Sequence, residues 1–206
     1  MGRQAVPSCR LCRREGLKLY LKGDRCLTSK CSLSRRKKAP GMARGRRGKL
    51  SNFGLQLREK QKVKRYYGVA EKQFRKYYQM AARAQGNTGE LLIQYLERRI
   101  DNIVYRLGFA VSRNQAKQMV AHGLITINGT KIKTSSILIK KGDVIKINEK
   151  KKEKTIVKEN SERELTIVEW LEKTDDFSGK ILELPNREDI QDIPMKEQLI
   201  IEHYSK

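Results

Sequence analysis

All four cysteines of the 206-residue chain fall in its first 31 residues, spaced Cys9-x2-Cys12-x13-Cys26-x4-Cys31. Two pairs of thiolates, each separated by two to four residues, let each pair hold one side of a tetrahedral ion while the longer interval forms the return loop. The pattern predicts a structural zinc site on Cys9, Cys12, Cys26 and Cys31. With four sulfur ligands it has no open position for catalysis. An iron–sulfur cluster takes the same donors and stands as the alternative. A disulfide framework does not fit a chain without an export signal. A metal would organise a segment too polar to fold by burial, with Arg10, Arg13, Arg14 and Arg25 projecting from the knot.

The second chemical signal is charge. The formal net charge is +23, with 38% hydrophobic and 33% charged residues. Such an excess implies a polyanionic partner, nucleic acid before membrane. It is front-loaded: residues 1–65 carry 21 Lys and Arg against 3 acids, residues 66–160 carry 19 against 8, and residues 161–206 carry 6 against 12. The acidic end suits a basic protein or water rather than phosphate. No apolar run approaches the ~20 residues of a membrane span, so a soluble chain without a membrane partner is expected. The Arg-rich start mimics a transit peptide, but the ordered cysteines within it argue against a disposable leader.

The basic residues form several candidate phosphate-binding groups. Arg3 belongs to the arm, followed by the runs Arg35, Arg36, Lys37, Lys38 and Arg44, Arg46, Arg47, Lys49. A third stretch holds Arg58, Lys60, Lys62, Lys64 and Arg65, with Tyr66 beside it as a candidate stacker on an unpaired base. One continuous RNA answers all three stretches. Further along, Ser112, Arg113 and Lys117 open a helix whose free N–H groups and positive end favour a phosphate. His122 and Lys131 follow, the latter on a hairpin turned by Asn128-Gly129.

These groups need elements to hold them. Residues 1–50 lack helical periodicity and read as an extended arm with one ordered knot. Ser51 caps a helix that stops at Gly68; Ala70, Phe74, Tyr77, Tyr78 and Ala81 share a face of the next. From a Thr88 cap, Leu92, Leu96, Ile100, Ile103 and Leu107 make one apolar stripe up to Gly108, with Asp101 as a surface carboxylate on that helix. Ser112 and Gln115 form a capping box, with Ala116, Met119 and Val120 inward and Gly123 as the stop. The hairpin, SSILI and GDVIKIN read as strands. The expected fold is α+β, with a basic cysteine arm (1–50), a helical domain (51–96), an inserted RNA-binding module (97–160), and a C-terminal segment (161–206) that returns to the helical domain.

The stretch RRIDNIVYRLGFAVSRNQAKQMVAHGLITINGTKI, followed by GDVIKI, closely resembles the RNA-binding module named after the fourth protein of the small ribosomal subunit. With SCRLCRREGLKLYLKGDRC, LSNFGLQLREKQKVKRYYGVAEKQFRKYY and KEQLIIEHYSK, the resemblance to the bacterial ribosomal S-four family, in its zinc-binding-arm form, covers nearly the whole chain. It implies a non-enzymatic constituent of the cytoplasmic ribosome that binds small-subunit rRNA and nucleates assembly of the 5′ domain. It also implies a position beside ribosomal proteins S-three and S-five, near the channel through which mRNA enters, and a contribution to translational accuracy. Arg44, Arg46, Arg47 and Lys49 would then lie near mRNA. Residues 40–45 read PGMARG where the family often has Pro-Gly-Gln-His-Gly. The module also occurs in tyrosyl-tRNA synthetases and pseudouridine synthases, so the rival reading is a free RNA-binding factor or RNA-modifying enzyme. Asp101 is similar to the pseudouridine synthase aspartate, but the 46 residues after position 160 are too few for a catalytic domain. No nucleophile motif or phosphate-cradling glycine loop marks a small-molecule substrate.

Overall fold

The computed structural model describes residues 6–36, 38–41, 50–149, 160, 167–190, 192 and 194–205. The chain divides into two compact units, Met1–Leu91 with Asp192–Lys206, and Leu92–Gln191. These units meet at 91/92 and 191/192, beside the expected boundaries at 96/97 and 160/161, and residues 161–206 are divided between them.

In the first unit, α1 (Ser8–Glu15) ends at Gly16 in the left-handed conformation, a 3-10 turn covers Gly23–Cys26, and α2 spans Ser32–Arg35. The described part of the arm is thus not extended. Leu11, Leu19 and Leu21 are buried; three isolated leucines fold this stretch without making a periodic pattern. As the capping residues predict, α3 (Asn52–Tyr66) begins where Ser51 accepts from the N–H of Gly54. Helix α4 (Glu71–Arg83) buries Phe74, Tyr77 and Ala81.

Helix α8 (Glu197–Tyr204) packs on α3, and polar groups fix their register. Gln56 Nε2 donates to Glu202 Oε2 at 2.9 Å, and the Lys196 N–H donates to Glu59 Oε1 at 2.8 Å. Glu71 accepts from Lys60 (2.8 Å), Lys64 (2.7 Å) and the Tyr204 hydroxyl (2.9 Å), while the Tyr204 ring stacks on Tyr78 at 4.6 Å. Burial alone would raise the Glu71 carboxyl, but these three donors outweigh it and hold the pKa down at about 2. An acid whose pKa is depressed on folding stabilises the fold above its unfolded value, and loses that contribution as pH falls towards its folded value. Urea midpoints are therefore expected to be lower for Glu71→Gln than for the wild type at pH 7, with the gap closing between pH 4.5 and about 2. A gap independent of pH would show that the carboxylate is not the source.

The second unit starts within α5 (Thr88–Glu97) and continues through α6 (Ile100–Arg106) and α7 (Arg113–Ala121). Asn87, rather than Thr88, caps α5: its Oδ1 accepts from the Gly89 N–H at 2.9 Å. The single stripe expected from Thr88 to Gly108 is two helices. Arg99 is extended (φ −67°, ψ 136°), because the Arg98 carbonyl accepts from Ile139 N and the Ile100 N–H donates to Ile137 O. Those contacts also correct SSILI: among the described residues it forms one isolated bridge, Arg99 to Leu138, and no strand of the sheet.

The sheet comprises β1 (Ile125–Ile127), β2 (Thr130–Lys131), β3 (Val144–Ile147), β4 (Leu171–Asp175) and β5 (Ser178–Ile181), in the antiparallel order β2-β1-β3-β5-β4. The last two strands come from the segment expected to return to the helical domain; in the structure, residues 197–204 do so and residues 171–181 do not. Asn128 and Gly129 both have positive φ (49° and 83°), as the Asn-Gly hairpin predicts. Asn128 also accepts from the Val144 N–H and donates to Asp143, each at 2.9 Å, so the turn is stitched to β3.

The inner face of the sheet and the inner faces of α6 and α7 enclose one core that includes Ile103, Leu107, Phe109, Met119, Val120, Ile125, Ile145, Ile147, Trp170 and Ile181. Gly179 is needed there for space: a Cβ would lie 2.6 Å from Leu107 Cδ2 and 3.1 Å from the Glu172 carbonyl. Gly179→Ala is expected to cost about 1–3 kcal/mol, read as a lower urea midpoint in the fluorescence of Trp170, the chain's one tryptophan. An unchanged midpoint would mean the core yields freely at this point.

Candidate nucleic-acid interface

Cys9 and Cys12 stand one turn apart on α1, Cys26 closes the 3-10 turn, and Cys31 is the residue from which α2 springs. All four are free thiols, three buried and Cys9 partly exposed. Burial pushes the Cys12 thiol up, and Cys26, Cys9 and Cys31 add to that by charge repulsion. At Cys31 burial acts the same way, but the N–H groups of Ser34 and Leu33 at the start of α2 overcome it and lower the pKa. Among the described residues, no group of three or more Cys, His, Asp or Glu side chains is arranged to hold a metal ion. The donor types suit a thiophilic ion, and the repulsion at Cys12 shows that the three other thiols share its neighbourhood.

The basic residues fall into two populations. On α3 the charges are used internally. Glu15, buried under the helix, takes Arg58 at 3.2 Å and pairs with Arg65, while Glu59 takes Lys62 at 2.6 Å. Burial raises the Glu15 carboxyl further than its two arginines lower it. Tyr66 is only 2% exposed, and its hydroxyl donates to Asp192 at 3.0 Å. The expectation that Tyr66 stacks on an unpaired base is therefore corrected, while Arg58, Lys62 and Arg65 are paired within the fold and partly exposed. A base cannot stack on a buried ring, and the three cations have acidic partners within the fold.

Arg113 needs the same correction. It is 7% exposed, and its Nε donates inward to Asn102 Oδ1 at 2.7 Å while its guanidinium lies 4.5 Å from the Tyr105 ring centre. Asn102 in turn donates to Glu97 Oε2 at 2.6 Å, and Arg106 pairs with both Glu97 oxygens at 2.9 and 3.1 Å. Asp101, expected at the surface, is buried and paired with Arg99 at 2.5 and 3.0 Å. Ser112 is buried too and accepts from the Gln115 N–H at 3.3 Å; Gln115 Oε1 accepts from the Val111 N–H at 2.6 Å. In the first turn of α7 the Gln115 N–H is thus taken by its own cap and the Arg113 side chain is drawn inward by this network.

The second population faces solvent. Arg10, Arg14, Arg35, Arg36 and Lys38 are exposed around the cysteine turns, and Arg13 and Arg14 tie the arm together by donating to the carbonyls of Lys38 and Pro40, each at 2.9 Å. In the second unit Lys131 and His122 are exposed, Lys117 is partly so, and His122 sits 3.5 Å from the Gln118 amide. Arg3, Lys37, Arg44, Arg46, Arg47 and Lys49 lie outside the described residues. Lys146 and Lys180, absent from the sequence-based set, stand exposed on β3 and β5. The alternation in VIKI signals Lys146, outward between two buried isoleucines.

In the second unit, small helices joined to a short sheet turn lysines outward and hold Arg99 and Arg113 inward, a cationic surface of the RNA-binding type. The model for the ribosomal protein S4/S9 N-terminal domain matches residues 3–97, and that for the S4 domain matches residues 98–145. Over the full length of both chains, this one is 55% identical to small ribosomal subunit protein uS4 of Thermoanaerobacter sp., 53% to that of Acetivibrio thermocellus and 50% to that of Thermodesulfovibrio yellowstonii. The chain belongs to the ribosomal protein S4 family.

The division of charge has a direct consequence. Arg113→Ala should lower stability by about 2 kcal/mol or more, since it strips a buried hydrogen-bonded charge from Asn102. Lys117→Ala should leave stability within about 0.5 kcal/mol. Urea titrations followed at Trp170 separate the two; equal effects would contradict the assignment of Arg113 to the interior.

Proposed function

We propose that this chain is a structural, non-enzymatic constituent of the small ribosomal subunit that binds rRNA. The observation that carries this is similarity along the entire chain to proteins named small ribosomal subunit protein uS4. The solvent-facing cations supply the chemistry. Lysines and arginines on a folded body displace counterions from phosphates, while the body's shape selects the junction where RNA helices converge. No helix among the described residues is long and apolar enough to cross a membrane, and the surface is charged as a ribosomal partner requires.

We further infer an early role in assembly, contacts with mRNA and neighbouring proteins, and one structural zinc. The protein binds the 5′ domain of 16S-type rRNA early and nucleates its assembly, with Arg10, Arg14, Arg35, Arg36, Lys38, Lys117 and Lys131 among its phosphate contacts. The basic run 44–49 approaches mRNA and so bears on translational accuracy. The acidic C-terminal part meets the basic ribosomal proteins S-five and S-three. Cys9, Cys12, Cys26 and Cys31 hold one structural zinc, which would tie α1, the 3-10 turn and α2 together without taking part in any reaction.

Two measurements test this. The chain should sediment with small subunits through a high-salt wash; release into the supernatant would favour a free RNA-binding or RNA-modifying factor. Metal analysis of purified protein should find about one zinc per chain, whereas no metal and four freely alkylated thiols would remove the zinc from the account.

A further inference from the structure

The outer face of the second unit's sheet carries a groove of about 600 Å³ whose lining includes Thr126, Lys131, Lys146, Asp175, Phe177 and Ser178. The strand register sets its polar row. Lys131 and Lys146 are both partners of Thr126, Lys146 is the partner of Ser178, and Ser178 that of Asp175. Residues paired across strands project to the same face, so the row runs Lys131, Thr126, Lys146, Ser178, Asp175 from one edge of the sheet to the other.

Three features make this more than a solvated sheet face. First, Lys131 and Lys146 are exposed and, among the described residues, have no acidic partner, in contrast to the lysines of α3. The Lys131 stem lies against Gly123, a left-handed glycine at the end of α7 where no Cβ intervenes, so its direction is constrained. Second, the acidic end is positioned: Ser178, itself buried, donates to Asp175 Oδ2 at 2.8 Å and leaves Oδ1 available at the rim. Third, Phe177 is partly buried against the core while lining the groove, presenting an aromatic surface there.

Cations at one end, a held carboxylate at the other and an aromatic side chain beside it match the parts of a nucleotide in order: phosphate, base edge and base face. Lys146 and Asp175 are two strands apart, about 10 Å at normal strand spacing, comparable to the distance from a nucleotide's phosphate to the far edge of its base. Lys131, two strands further, would meet the next phosphate. A carboxylate accepts and does not donate, so Asp175 favours a base presenting adjacent N–H donors. Guanine does so with N1–H and N2–H; uracil offers a single N–H between two carbonyls.

We infer that this groove binds an unpaired guanine nucleotide of RNA, with its phosphate at Lys146, the adjoining phosphate at Lys131 and its Watson–Crick edge at Asp175. The inference rests on the rRNA-binding reading but uses a surface separate from α7. It adds a base-selective contact to binding that is otherwise governed by charge and shape.

The test titrates the dinucleotides GpG and UpU, each carrying a 5′-phosphate besides the internal one, into ¹⁵N-labelled full-length protein. GpG should shift the amides of Thr126, Lys146 and Ser178 at lower concentration than UpU. Lys146→Ala should weaken GpG about tenfold, and Asp175→Asn should erase the preference over UpU. Both substituted positions are on the outer face, and unchanged Trp170 emission confirms that each variant is folded. Binding of a 5′-domain rRNA fragment is measured on the same samples. If wild-type protein binds the fragment but GpG leaves the groove amides unmoved, or if Asp175→Asn keeps the preference, the groove proposal is overturned and the function stands. If the fragment is not bound at all, the function itself fails. Groove amides that respond instead to a basic ribosomal protein, and not to GpG, would also overturn it by showing a protein-docking face.

Discussion

The second unit depends on one buried carboxylate. Glu97 is fully buried at the last residue of α5, where an unpaired charge would cost several kcal/mol. It is compensated by Arg106 on both oxygens and by Asn102, whose other amide atom holds Arg113 on α7. Three helices are therefore tied through one side chain. The chain leaves helical geometry at Arg99 and re-enters it at Ile100, with Arg99 paired to Asp101 to secure the break. The break turns α6 away from α5 so that α6 and α7 can share a core with the sheet. Lysines on α7 and the hairpin then project from a body whose orientation is fixed from within.

The same division of labour holds in the first unit. The five cations of α3 look like a phosphate-binding stripe in sequence, yet Glu15, Glu59 and Glu71 engage all of them. Partly buried pairs such as these hold helices in register; in an RNA-binding surface they would have to be broken before a phosphate could compete. A net charge of +23 thus overstates the surface available to RNA, because position decides which cations serve it.

Much of the local structure is legible in the sequence. Ser51, Ser112, Gly68, Gly123 and the Asn128-Gly129 turn mark their boundaries where caps and positive-φ residues must be. What the sequence conceals is which polar residue meets which. A Glu at position 97 or 15 and an Arg at position 113 or 65 look like surface residues until distant segments bring them together, since periodicity reports apolar faces and is silent on buried ion pairs. The broken helix at Arg99 was hidden for the same reason: the apolar stripe continues through it, while the hydrogen bonds that break it come from residues 137–139. Strands β4 and β5 were hidden because a bulge between Lys173 and Asp175 and the Asp-rich turn disguise their alternation. The cysteine spacing is plain in sequence, but it specifies the donors rather than their convergence.

Internal ion pairs orient the RNA-binding surface, and charge alone does not make it. The direct test is the salt dependence of 5′-domain rRNA binding by Glu97→Gln, with Trp170 emission confirming that the unit remains folded. The substitution makes the protein more positive and loosens the ties to Arg106 and Asn102. Weaker binding than wild type, with the slope of log K against log salt unchanged, is the predicted result. Tighter binding with a steeper slope, from arginines released to the surface, would contradict the claim.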